Sequence, residues 1–173
     1  MENRLLKWNS INLSEAGRTV MVKHVLYALP VHHMVSFKLP DQTIKALNSV
    51  QCKFWRKKDT NKGVVISWSS LSKDKKEDDL GFMDLECFNK DFLAKSAWRL
   101  CTNTDDLWSK AMGFKYYSEG IFNHRVKDDS SFSWSSISSE IPFTKRNSKW
   151  LLGNGASIEI WADNWIPRYD SPP

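Results

Sequence analysis

The sequence predicts a mainly α-helical fold, with a short strand near residues 64–68 and a C-terminal β-hairpin at about 149–161. Two observations lead there. Apolar residues recur at helical spacing through much of the first 117 positions. Asn154-Gly155 stands between two short alternating runs, which is a strong hairpin signal. The composition, 41% hydrophobic and 26% charged, is globular and excludes disordered, collagen-like and coiled-coil readings. Nine Trp and nine Phe require either a substantial core or a partner surface.

The elements follow in order. Ser14 is placed to cap a first helix, in which Val22, Val25, Leu26 and Leu29 fall at i, i+3, i+4 and i+7 before Pro30 closes it. Val20, Met21 and Tyr27 point to its other faces, so this helix is apolar nearly all round and needs a neighbour. His32-His33 reads as a turn. A second helix starts near Pro40-Asp41, because Pro suits the first helical turn. Ile44, Leu47, Val50 and Phe54 share one of its faces, and Lys45, Lys53 and Arg56 lie opposite. Lys57 and Lys58 follow at its C-terminal end, where they complement the helix dipole.

Asn61-Lys62-Gly63 reads as a turn, and Val64, Ile66 and Trp68 alternate as the short strand. Residues 69–79 form a charged surface loop. A third helix spans about 84–100 and buries Leu85, Phe88, Phe92, Leu93 and Leu100. Asn89 and Ser96 fall inside that apolar stripe, so both need hydrogen-bond partners. Asp105 and Asp106 open a fourth helix reaching about Tyr117, and a short one near 133–139 carries Trp134 and Ile137. The chain divides into a basic helical segment (1–62), an aromatic-rich helical segment ending in the hairpin (63–168) and a tail (169–173).

Charge supplies the one feature with functional content. Residues 1–62 hold eleven Lys/Arg against four Asp/Glu, a net +7, whereas residues 63–173 are close to neutral at −2. The cationic face of the second helix, Lys45, Lys53 and Arg56 with Lys57 and Lys58 beyond, fits a phosphate backbone without reading bases. The rival reading is a solvated face on a structural or protein-interaction domain with no nucleic-acid role. Asp78-Asp79, Asp105-Asp106 and Asp128-Asp129 sit in polar loops or at a helix start, not converging as Mg²⁺-dependent polymerase chemistry requires. No catalytic residue is therefore expected. His24, His32, His33 and His124 have no nearby Cys, and Cys52, Cys87 and Cys101 are widely spaced, so neither a metal site, a cofactor nor a disulfide framework is expected. With no signal-type start and no membrane-length apolar run, the chain reads as intracellular, in nucleus or cytoplasm.

Several ordered runs resemble plant non-LTR (LINE-type) retrotransposon reverse-transcriptase polyproteins. They are Trp8 with Leu13-Ser14-Glu15-Ala16-Gly17-Arg18, then Phe37-Lys38-Leu39-Pro40, Phe54-Trp55 and Ile66-Ser67-Trp68. Leu80-Gly81-Phe82, Phe88-Asn89-Lys90, Leu93-Ala94-Lys95 and Trp98-Arg99-Leu100 form the most specific stretch. Leu107-Trp108, Ser133-Trp134, the Trp150–Trp161 segment and Asn164-Trp165-Ile166-Pro167 complete it. Asp78-Asp79 depart from the Gly-Gly the family tends to have there.

The resemblance implies the thumb and connection region that follows a polymerase palm and precedes zinc-binding and ribonuclease H segments. It implies a truncated fragment without the catalytic core, and so no activity of its own. Its expected partner is the backbone of RNA or an RNA–DNA hybrid. A first helix stripped of its palm neighbour would also promote self-association.

Overall fold

The computed structural model describes residues 13–56, 68, 80–117, 121–123, 129–149, 151, 153–156, 158–161 and 165–166. The helices are α1 (Glu15–Met21), α2 (Val31–Met34), α3 (Asp41–Arg56), α4 (Leu85–Thr102), α5 (Leu107–Tyr116), α6 (Phe132–Ser138) and α7 (Ile141–Asn147). Two compact units, 1–91 and 92–173, divide the chain, and the division falls within α4.

In the first unit, Ser14 caps α1, its hydroxyl accepting from the Gly17 amide at 3.2 Å. The α-helix then widens into a π-helical turn, Val22–Leu26. The wider turn carries Val22 and Leu26 inward, and both are fully buried, as is Tyr27. Of the large apolar residues on this helix only Val20 stands well exposed, at 56%. His32 and His33 are exposed on α2, a helical turn led by Pro30. Helix α3 buries Ile44 and Phe54 and half-buries Leu47 and Val50, so its apolar face lies where the spacing puts it.

Helix α4 begins one residue after Asp84, whose Oδ1 accepts from the amides of Glu86 (2.8 Å) and Cys87 (3.3 Å) and so supplies its cap. Asn89, buried on its first turns, is the tie to the loop after α2. Its Nδ2 donates to the carbonyls of Met34 (2.9 Å) and Phe37 (3.0 Å), and its Oδ1 accepts from the Leu39 amide (2.8 Å). The polar side chain inside the apolar stripe thus finds its three partners.

The second unit packs Leu93, Ala97, Leu100, Ile121, Trp134, Ile137 and Ile141 into one core. Trp134 is fully buried between Tyr116 (centroids 4.8 Å, planes 5° apart) and Tyr117 (5.5 Å, 20°). Helix α7 has a signal in Pro142, which sits in its first turn where a missing amide costs nothing.

The expected strands are corrected. Among the described residues none is in a strand. At 149–161 the hairpin is replaced by local turns. Gly155 takes the left-handed backbone (φ 73°), the Asn154 Oδ1 accepts from the Ala156 amide at 3.2 Å, and Ile158 N–H returns to the Gly155 carbonyl at 3.3 Å. Asn154 therefore spends its side chain on its own backbone, as Asx turns do. Among the described flanking residues none is fully buried, with Leu151 95% and Trp161 77% exposed. A two-stranded ribbon without a buried face is marginal at best. Of the expected strand near 64–68, residues 64–67 lie outside the described residues, and Trp68 is at a turn.

Candidate nucleic-acid interface

Burial of Ile44, Phe54 and Gln51 fixes the rotation of α3 and turns Lys45 and Lys53 outward, both exposed. Arg56, at the last turn, is half-buried. At ~1.5 Å per residue, Lys45 and Arg56 are about 16 Å apart along the axis. Lys57 and Lys58 lie outside the described residues.

Neighbouring residues hold α3 in place. Arg18 donates from Nε to the Trp55 carbonyl at 2.7 Å and from its guanidinium to the Leu13 carbonyl at 2.8 Å. The Trp55 indole N–H donates to the Thr19 hydroxyl at 2.9 Å. Trp55, Trp68 and Phe82 form an aromatic cluster, with Trp68 stacked on Phe82 at 4.9 Å and Trp55 edge-on to both. Lys23 donates to the Leu80 carbonyl and lies 5.8 Å from the Phe82 ring centre, so this cation serves the fold.

A groove of about 320 Å³ opens beside Lys45, lined by Asp41, Ile44, Asn48, Trp68, Met83, Asp84 and Glu86. Its three carboxylates were not picked out by spacing, because Asp41 and the pair Asp84/Glu86 are distant in sequence. Asp84 is engaged as the α4 cap and Glu86 in an ion pair with Lys90 at 2.8 Å. Gln51 is fully buried, and neither amide atom has a hydrogen-bond partner among the described residues. Among the described residues no group of His, Cys, Asp and Glu is arranged to hold a metal. No helix among them is long and apolar enough to cross a membrane.

Burial also shifts two weak acids. It pushes the Tyr27 hydroxyl up to about 12, with Asp84 adding to the rise, and the Cys101 thiol up to about 11. The Asp84 carboxylate is the main reason that the exposed Cys87 thiol also sits above its usual value. With their thiols raised, neither Cys87 nor Cys101 is prepared as a nucleophile near neutral pH.

No family model matches the chain, and no solved structure does. Curated plant proteins do match. The chain is 32% identical over 143 residues to "Uncharacterized mitochondrial protein AtMg00310" of Arabidopsis thaliana, an alignment covering 80% of this chain and 93% of that protein. It belongs to the same family. It is also 29% identical over 172 residues to "Putative ribonuclease H protein At1g65750" of the same plant. That alignment covers 96% of this chain but only 28% of the longer relative.

Proposed function

We propose that this chain is the thumb and connection portion of a plant retrotransposon reverse transcriptase, without catalytic activity, whose remaining activity is a weak, sequence-blind grip on a template–primer backbone. The observation that carries the reading is the outer face of α3, where Lys45 and Lys53 stand exposed because the opposite side is buried. Its match to about a quarter of a longer relative named for ribonuclease H supports a piece of a multidomain polyprotein. The parent activity of that polyprotein would be RNA-directed DNA synthesis, supplied by segments other than this one. A phosphate chain contacted by a few cations, without base readout, is bound with Kd on the order of 10⁻⁴ to 10⁻⁶ M and released by salt.

The test is fluorescence anisotropy of a labelled RNA–DNA hybrid. The parent chain should bind at low salt and lose most of its affinity between about 50 and 200 mM salt. A variant carrying Lys45→Glu, Lys53→Glu and Arg56→Glu should show no binding while keeping its helical circular dichroism. If that variant binds as tightly as the parent, the cationic face has no such role.

One observation favours the rival, a structural or protein-interaction domain. Asp41, Asp84 and Glu86 line the groove beside Lys45 and repel a passing phosphate. Equal affinity of parent and triple variant would favour that rival.

A further inference from the structure

Helix α7 is seated on the second unit by Ile141 and Thr144, buried one turn apart, and the 3₁₀ turn Ile121–Asn123 packs beside it. Ile121 and Ile141 share the core of that unit. At 3.6 residues per turn, burying these two positions sends Phe143 and Arg146 outward and leaves Lys145 on the flank. Phe143 is 42% exposed and Phe122, on the 3₁₀ turn, 38%. The Lys145 ammonium lies 5.6 Å from the Phe122 ring centre. Around α7 the order is therefore Phe122, Lys145, Arg146, Phe143, two cations between two rings open to water.

The chain leaves this charge unanswered. Among the described residues neither Lys145 nor Arg146 has an ion-pair partner. Residues 141–149 hold three Lys/Arg and no Asp/Glu, and Glu140 is buried at the far end of the helix. The dipole of α7 favours cations in its last turn, yet it gives no reason for two rings to flank them.

We propose that this strip binds single-stranded nucleic acid, with phosphates on Lys145 and Arg146 and unpaired bases against Phe122 and Phe143. Cations set among exposed rings are how sequence-tolerant single-strand sites are built, because every base has a face to stack. A duplex keeps its base faces inside its own stack, so the rings select an unpaired strand. An anionic membrane also attracts such residues, but a seven-residue helix with one large apolar side chain on its outer face buries too little to lie in an interface. The contact goes beyond the grip assigned to α3 and does not depend on it.

Fluorescence anisotropy of labelled strands of about 12 nucleotides tests it, on the parent and on the Lys45→Glu, Lys53→Glu, Arg56→Glu chain, in which α3 no longer contributes. Oligo(U) and oligo(dT) should bind alike, and an abasic strand of equal charge at least about tenfold more weakly. Phe122→Ala and Phe143→Ala should each weaken oligo(U) about tenfold with unchanged circular dichroism, whereas Phe143→Trp, which keeps a stacking face, should bind as well as the parent. Lys145→Gln with Arg146→Gln should reduce the slope of log affinity against log salt by about 1.4, since each single-strand phosphate contact contributes about 0.7. No binding of oligo(U) by about 1 mM protein, equal affinity for the abasic strand, or ring variants that bind as the parent does would each overturn the proposal. Binding to phosphatidylserine vesicles in place of oligo(U) would overturn it in favour of a membrane.

Discussion

Asn89 shows how much one buried amide can decide. Its three hydrogen bonds go to main-chain groups of Met34, Phe37 and Leu39, so no neighbouring side chain can substitute for it. Asn89→Leu strands two carbonyls and one amide, and should cost about 3 kcal/mol by urea unfolding. Gln51 is the opposite case. Its amide is buried without partners among the described residues, so Gln51→Met should raise stability by about 1 kcal/mol in the same measurement. The raised Tyr27 and Cys101 values set an alkaline limit. Each group holds its proton more tightly folded than unfolded, so its contribution is complete below the ordinary values of 10.0 and 9.0. That contribution is lost as pH rises through about 11 for Cys101 and about 12 for Tyr27. Thermal midpoints should therefore fall steadily from pH 9 to 12. At neutral pH, exposed Cys87 should alkylate well before half-buried Cys101.

Helices behave as their periodicity says, because a buried stripe and a start signal suffice to form them. Helix α3 keeps its apolar face and α4 starts beside Asp84. The 149–161 segment departs from its pattern for a reason of context. A hairpin needs a surface on which to bury one face, and Ile160 and Trp161 stand 58% and 77% exposed. Ile160→Lys should accordingly change stability by less than about 0.5 kcal/mol. Ile137→Ala, in the core of the second unit, should cost about 3 kcal/mol. Thermal and urea unfolding of the two variants would separate these outcomes, and a large penalty at Ile160 would restore the hairpin.

At the scale of the whole chain, the residues that carry the retroelement resemblance are largely fastenings. Ser14 caps, Arg18 ties α1 to the end of α3, and Asn89 anchors the loop after α2. On the proposed reading, the chain serves chemistry performed by other segments. Primer extension on an RNA template, with Mg²⁺ or Mn²⁺, should therefore stay at background for the purified chain. Incorporation that copurifies with the protein would refute this. The cationic face of α3 was legible in the sequence because helical spacing alone opposes Lys45, Lys53 and Arg56 to Ile44 and Phe54. The acidic groove beside it was not, since Asp41 and Asp84 meet only when α3 and the start of α4 come together.

Sequence alone determined the helical character, the rotation of α3, the Ser14 cap and the demand that Asn89 be satisfied. Each rests on interactions spanning a few residues, or on a polar group that has no alternative inside an apolar stripe. Tertiary structure decided which carbonyls satisfy Asn89, which face of α7 stays uncovered, and whether 149–161 pairs as strands. Those outcomes depend on surfaces contributed by distant segments, and hydrophobic burial, being non-directional, leaves no local trace of where its partner will come from.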